Sequence, residues 1–230
     1  MGTEGKHVRL EALVPGHVWI TAPDAAAGAD VTRMTVVRLA AGGLWVHSPV
    51  AADAELRREI DRLGAVTFVV APSYTHGRFA RAFCARYPAA ELFVSPRSPE
   101  RYGALAYGTL LRDRPPPPWA GEIDQALIGG HRSLDEVVFF HLASRTLIVA
   151  DLLRLPSVLS LLRRAFFRCD AGRMRHLAFA DERSARMSLH RVLAWDFDRV
   201  VLADGGAITG GGKELLRRAY RTLLGPCVSE

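Results

Sequence analysis

The segment from Leu134 to Leu153, LDEVVFFHLASRTLIVADLL, constrains the fold more than any other part of this chain. It contains two runs of β-branched and aromatic residues, VVFFH and TLIVA, separated by a few residues that suit a tight turn. Runs of this composition around a short connection predict an antiparallel strand pair. The second run ends on an acid, Asp151. The segment therefore predicts a β-hairpin that places a carboxylate at the edge of a sheet.

The first half of the chain alternates between strand-like and helix-like segments. Asp53 is a suitable helix cap and Gly64 a suitable helix end, whereas Pro88 stops a second helix that contains Phe79 and Phe83. Such alternation predicts an α/β arrangement with right-handed crossovers. The predicted strands are His17–Thr21, the hairpin Met34–Pro49 that turns at Ala41–Gly43, Val66–Ala71 and Glu91–Ser95.

The second half follows four prolines, residues 115–118, which predict an extended connection. Neither half looks able to close a core of its own, so we expect one domain, residues 1–230, with a core of about residues 17–224 and the prolines in a surface loop. The predicted elements are the strand Ile123–Ile128, the hairpin Glu136–Ala150, the helices Ser157–Phe167 and Asp181–Trp195, the strand Arg199–Ala203 and the helix Lys213–Leu224.

Composition excludes several classes of protein. A hydrophobic content of 49% with a mean hydropathy of +0.08 is typical of a folded domain, and no run of about 18 apolar residues predicts a membrane span. The first residues lack the pattern of a signal peptide, so we expect a cytoplasmic protein. The three cysteines are far apart and form no CxxC, which argues against a disulfide framework or a thiolate zinc site. The sequence leaves the oligomeric state open.

The net charge is +6, and nearly all of the positive charge comes from arginines, which are most frequent between Arg163 and Arg191. A clustered positive face can attract a polyanion. Here Asp170, Asp181 and Glu182 are interspersed, and no nucleic-acid-binding motif accompanies the charge, so we expect a solvated helical surface and no nucleic-acid partner.

Four stretches of the chain resemble one known superfamily: RMTVVRLAAGGLWVHSPV, VVAPSYTH, EVVFFHLASRTLIVADLL and LAWDFDRVVLADGG. They are similar to the metallo-β-lactamase fold, and in particular to a branch known as the domain of unknown function 4336. The resemblance extends over about residues 17–224. It implies a four-layer αββα sandwich of two mixed sheets with helices outside, and it brings no established activity.

The same resemblance implies a degenerate metal site. Laid on residues 71–76, the HxHxDH motif of the superfamily keeps its last histidine as His76, while Ala71, Ser73 and Thr75 stand at other ligand positions. The next ligands correspond to His131 and Asp151, and Asp204 takes the place of the final histidine. Two imidazoles and two carboxylates suit one zinc, manganese or iron ion. With Thr75 in place of an acid, no second ion is expected.

The resemblance leaves two functions open. One is a hydrolase that acts on a small ester, amide or phosphoester through a single metal-activated water. The other is a non-catalytic module that uses the cleft to bind a small ligand or a partner protein. The residues expected to line that cleft are His47, Ser48, Ser73 and Tyr74.

Two further groups have simpler interpretations. A serine hydrolase would use Ser48 or Ser73, yet the chain has no GxSxG motif and Ser48 precedes a proline. His141 lies in the middle of a predicted strand, where pairing with Ser144 or with a backbone group is favoured over metal binding.

Overall fold

Two β-sheets pack face to face in the computed structural model, which describes residues 8–23, 32–99, 108–132, 135–153 and 179–225. The first sheet has seven strands in chain order. Its strands β1 to β4 are antiparallel neighbours, whereas β4 to β7 run parallel. They are β1 (Val8–Val14), β2 (Val18–Pro23), β3 (Thr35–Arg38), β4 (Leu44–His47), β5 (Val66–Ala71), β6 (Glu91–Val94) and β7 (Thr109–Leu110).

The second sheet has five strands in the order β12-β11-β10-β9-β8. The predicted hairpin of the second half is confirmed as β9 and β10, which pair antiparallel, and β10 runs parallel to β11. Arg145 closes the turn between β9 and β10 with a φ of 51°. The strands are β8 (Ile123–Leu127), β9 (Val137–His141), β10 (Thr146–Val149), β11 (Arg199–Leu202) and β12 (Ala207–Ile208).

Helices cover the outer face of each sheet. Asp53 caps the first of them, as predicted, because its carboxylate accepts a hydrogen bond from the backbone N–H of Leu56. Asp181 caps another by accepting from the backbone N–H of Ser184. The helices are α1 (Ala54–Leu63), α2 (Ala80–Cys84), α3 (Glu182–Ala194), α4 (Gly212–Ala219) and α5 (Arg221–Leu224), with a 3-10 turn at Pro117–Trp119.

Three apolar clusters hold the layers together. One packs the first sheet against α1 and α2, and another packs the second sheet against α3, α4 and α5. The third lies between the sheets, where Trp45 contacts Phe139 with ring centroids 4.9 Å apart and Trp119 contacts Phe93 at 4.5 Å. The order helix, sheet, sheet, helix is the predicted αββα architecture.

The structure departs from the sequence prediction at elements with weak burial. The strand β1 was not predicted because it is an edge strand of mostly half-buried and exposed residues, and β7 and β12 have only two residues each. The predicted closing helix is interrupted at Tyr220, whose φ and ψ of −120° and 21° are not helical. The predicted helix Ser157–Phe167 and much of the arginine-rich stretch lie outside the described residues. Within the described ranges, no helix combines the length and apolar character needed to span a bilayer.

Candidate metal centre

The polar residues at one edge of the sandwich follow parallel strands. Because β10 and β11 are parallel and in register, Asp151 and Asp204 emerge at the same end of the second sheet. His76 lies in the loop after β5, at the end where β4 and β5 finish in the first sheet. The backbone N–H of Val137 donates to the carbonyl of Pro72 at 2.9 Å and joins the two sheets at this edge. The fold thus brings three distant segments together.

One histidine and two carboxylates converge there. Nε2 of His76 lies 3.6 Å from Oδ1 of Asp151 and 3.6 Å from Oδ2 of Asp204. One ligand atom from each residue lies within 4.8 Å of the other two. The side chains of His76 and Asp151 are 3% and 6% exposed, whereas that of Asp204 is 21% exposed. The group is therefore buried on two sides and accessible from the side of Asp204.

These separations fit the ligands of one ion. At 3.6 Å the nitrogen and oxygen atoms are too far apart for good hydrogen bonds. Ligand atoms about 2.0–2.2 Å from a tetrahedral ion lie about 3.4 Å from one another. The donor set of one imidazole nitrogen and two carboxylate oxygens also suits zinc, manganese or iron.

Two hydroxyls fix the carboxylate of Asp151. Ser73 donates to its Oδ2 atom at 2.9 Å and Thr75 donates to the same atom at 2.7 Å. The two hydroxyls are also in contact with each other at 3.0 Å. Both residues stand at positions where the superfamily motif has other residues, and here they orient an acid. Oδ1 of Asp151 is left to face His76.

Ser48 fixes the opposite side of the imidazole. Its Oγ atom lies 2.9 Å from Nδ1 of His76, and the pair is buried. Ser48 follows β4 with a φ of 52°, a left-handed conformation that is uncommon for a residue with a Cβ atom. Its backbone N–H donates to the carbonyl of Val70 at 2.9 Å, which anchors this turn to β5.

Charge complementarity shifts the pKa values of the group. Burial alone would lower the pKa of His76, but the carboxylates of Asp151 and Asp204 outweigh it and raise that pKa to about 9. Burial alone would raise the pKa of Asp151, but the charge of His76 and the hydroxyls of Thr75 and Ser73 lower it to about 2. Without an ion, an imidazolium thus occupies the position between two carboxylates.

Two acids that the sequence analysis did not single out organise the surrounding loops. Glu136 is buried and accepts hydrogen bonds from the backbone N–H groups of Ala150 and Asp151 at 2.6 and 3.0 Å. Burial, followed by the charge of Asp151, raises the pKa of Glu136 to about 8. Asp135 accepts from the backbone N–H groups of Tyr74 and Arg97. The sequence feature that could have indicated these roles is the pair of adjacent acids, Asp135 and Glu136, directly before the buried strand β9.

His131 lies outside the group of three. It forms an isolated antiparallel bridge with Phe179, and the two rings pack edge to face with centroids 5.0 Å apart. The carbonyl of the preceding Gly130 accepts the N–H groups of Ala180 and Asp181, which ties this loop to the start of α3. Of the four residues predicted as ligands, the structure brings three together.

The four residues predicted to line the cleft have different surroundings. Ser48 and Ser73 contact members of the group directly. Tyr74 packs under the guanidinium of Arg97 at 6.0 Å from the ring centroid. His47 lies in the core between the sheets, stacked on Trp45 with ring centroids 5.7 Å apart, and neither of its ring nitrogens has a hydrogen-bond partner among the described residues. Burial, together with the charge of His76, keeps the pKa of His47 well below its usual value.

The chain is similar to proteins of one superfamily. A family model described as "Domain of unknown function (DUF4336)" matches residues 26–160. No curated protein matches the sequence.

Solved structures of the metallo-β-lactamase fold align over almost the whole chain. DIM-1 metallo-β-lactamase aligns with a TM-score of 0.65 at 13% identity over 96% of this chain and 98% of its own. A metallo-β-lactamase from Hirschia baltica gives 0.65 at 13% identity over 95% and 98%. A flavo di-iron protein from Thermotoga maritima gives 0.63 at 10% identity over 96% of this chain and 62% of its own. At these identities the alignments establish the fold.

Proposed function

This chain belongs to the DUF4336 family, and we propose that it binds one divalent metal ion through His76, Asp151 and Asp204 and uses it to hydrolyse a small ester, amide or phosphoester. The observation that carries the proposal is the convergence of three ligand atoms from three separate loops, all within 4.8 Å of one another. Bringing three titratable side chains together from distant parts of a chain is typical of a binding or catalytic site.

The hydroxyls that contact His76 and Asp151 support a metal site more than a structural ion-pair cluster. A metal-binding histidine commonly donates its other ring N–H to a fixed acceptor, which sets its tautomer. Ser48 is placed to accept from Nδ1 of His76, so that an ion that displaces the Nε2 proton would find the Nε2 lone pair facing the two carboxylates. Asp151 is held in turn by the hydroxyls of Ser73 and Thr75.

The same contacts favour one ion over two. Oδ2 of Asp151 accepts two hydroxyl hydrogen bonds, which leaves Oδ1, the atom that faces His76, as the oxygen placed to bind an ion. His131, which would add a ligand on that side, is not among the described residues whose ligand atoms converge. When bound, a single divalent ion would polarise a substrate oxygen and lower the pKa of water to about 7.

The chain's own residues would position a substrate on one side only. His76 and Asp151 are almost fully buried, and Asp204 is the most accessible of the three, so a substrate would approach past Asp204. A serine hydrolase mechanism would need Ser48 to reach a substrate. Ser48 is entirely buried behind His76, which argues against it as the nucleophile.

Metal analysis of protein purified without chelator, and then offered zinc, manganese or iron, tests the site. We expect one ion per chain, and a loss of that ion in His76→Ala and Asp204→Ala. The exposed His190→Ala is the matched control, because it removes an imidazole from the surface of α3. An absence of stoichiometric metal, or equal retention in all variants, would contradict the proposal.

Hydrolysis is tested separately from binding. The metal-loaded protein is assayed with nitrophenyl esters, anilides and phosphodiesters, with Asp204→Asn as the comparison. Turnover that depends on both the metal and Asp204 supports the hydrolase. Stoichiometric metal without turnover of any substrate class supports the alternative, a binding module that keeps the site for a ligand.

A further inference from the structure

A groove of about 770 Å³ runs between α3 on one side and α4 and α5 on the other, on the outer helical layer. We name it the arginine groove and define it by Arg186, Arg217, Arg218 and Arg221 with Leu193 and Leu224. It lies on the face of the second sheet's helices, whereas the candidate metal centre lies at the strand ends. The two sites are built from different residues.

The groove residues come from three helices, and helical spacing places those of α3 on one side. On α3, Arg186 and Leu193 are seven positions apart and so lie on one stripe of the helix. Arg217 lies in the last turn of α4 and Arg221 begins α5 after the non-helical Tyr220, so these two groove residues come from different helices. The core-facing residues of α3 lie about a quarter turn away from this stripe, toward the second sheet.

The groove has a large excess of positive charge. Among the described residues, four guanidinium groups line it with a single carboxylate, that of Glu214, which lies 4.0 Å from Arg217. None of Arg186, Arg218 and Arg221 forms an ion pair with another described residue. Guanidinium groups gathered around a concave surface favour a ligand with several negative charges, because each fork can bind a phosphate or carboxylate in bidentate fashion.

The helix dipole accounts for the positions of only some of the arginines in the groove. Arg217 and Arg218 lie in the last turn of α4, where a cation is stabilised by the helix dipole. Arg186 lies near the beginning of α3, where the dipole gives no such stabilisation. The half-buried Leu193 and Leu224 add apolar surface between the charges. The combination fits a ligand that carries both anionic and apolar parts.

We propose that the arginine groove binds a small organic phosphate with at least two negative charges. The volume lies within the range of about 300–1,000 Å³ that is typical of sites for small molecules. The charge excess accounts for the anionic part of the ligand, and the two leucines account for its organic part.

Calorimetric titration of the whole protein with ATP and with inorganic tripolyphosphate tests the groove. We expect saturable binding of both, with ATP the tighter, and weaker binding at higher salt. The double variant Arg218→Ala/Arg221→Ala should weaken ATP binding by at least about tenfold. The matched control Arg58→Ala/Arg62→Ala removes two exposed arginines from α1 in the opposite layer and should leave it unchanged. Arg186→Gln, on the other wall, is a second test should the double variant fold poorly.

Three outcomes would overturn the proposal. One is an absence of saturable binding of either probe below about 1 mM, which corresponds to only about 4 kcal/mol of affinity. Another is an equal loss of ATP binding in the control variant. The third is an affinity for single-stranded DNA that increases with the length of the DNA, which would indicate an extended surface for polyanions. Because no metal ligand is changed, a failure here leaves the metal proposal standing.

Discussion

The hydroxyl of Ser48 and the Nδ1 atom of His76 lie 2.9 Å apart and connect the end of β4 to the candidate metal centre. The contact is buried, and Ser48 adopts a left-handed backbone conformation to make it. A residue with a Cβ atom adopts this conformation at a cost of about 1–2 kcal/mol. Such strain is retained where the surrounding structure requires one side-chain position. Ser48 therefore acts as a positioning residue for the imidazole.

Removal of this hydroxyl should weaken metal binding. In Ser48→Ala the His76 ring loses the group that fixes its tautomer, so we expect the affinity for zinc to fall by about 10–100-fold. Competition with a chromophoric chelator measures the dissociation constant. Ser48→Gly relieves the backbone strain and should show the same loss without a loss of stability.

A matched control exists at the opposite end of the sandwich. Ser144 makes an equivalent buried contact with Nδ1 of His141 at 2.7 Å, the pairing predicted from the sequence. Ser144→Ala should leave zinc affinity unchanged. A similar loss of affinity in both alanine variants would mean that the effect of Ser48 is general destabilisation.

An acid at position 75 should increase the stabilisation of the protein by metal. It should also decrease the stability of the metal-free protein. The Thr75 hydroxyl lies 2.7 Å from Oδ2 of Asp151, so Thr75→Asp would place two carboxylates in contact. Their repulsion should lower the free energy of unfolding of the metal-free protein by about 1–2 kcal/mol. A bound cation would reverse the repulsion, so zinc should raise the melting temperature more in this variant than in the wild type.

The control is Thr75→Asn, which has a similar size and no charge. It should lack the enhanced response to zinc. An equal zinc-dependent rise in melting temperature for wild type, Thr75→Asn and Thr75→Asp would show that position 75 is not near the ion.

The hairpin β9–β10 and the acid after it were accessible from sequence, because a strong alternation of apolar runs and a short turn are local signals. The roles of Glu136 and His131 could not be predicted from such local signals. The carboxyl group of Glu136 accepts the backbone N–H groups of Ala150 and Asp151, and His131 forms a β-bridge with Phe179, contacts that join residues well separated in sequence. Contacts between residues so far apart produce no periodic pattern in the sequence, so they can be identified only from the folded structure.

Truncation of Glu136 should disturb both stability and the metal site. Glu136→Ala would leave two buried backbone N–H groups, those of Ala150 and Asp151, without acceptors. Each unsatisfied group costs about 1–3 kcal/mol, so we expect the free energy of unfolding, measured with urea, to fall by about 2–6 kcal/mol. Glu136→Gln keeps one acceptor oxygen and should lose less. Zinc affinity should fall more in Glu136→Ala than in Glu136→Gln. An unchanged affinity in Glu136→Ala would show that Glu136 does not position Asp151 for metal binding.

His141 should make the protein less stable as the pH falls through the mildly acidic range. Burial, followed by the charge of His17, lowers its pKa to about 4 from an ordinary value of 6.5. Between these values the unfolded chain binds a proton that the folded protein does not, so the free energy of unfolding decreases as the pH drops from about 6.5 to 4, by at most about 3 kcal/mol. Urea unfolding in the presence of a chelator, at several pH values, measures this slope. His141→Gln should make it shallower, with the buried His47 accounting for part of the slope that remains, whereas the exposed His190→Gln should keep the wild-type slope. A slope that His141→Gln leaves unchanged would assign the acid sensitivity to other groups.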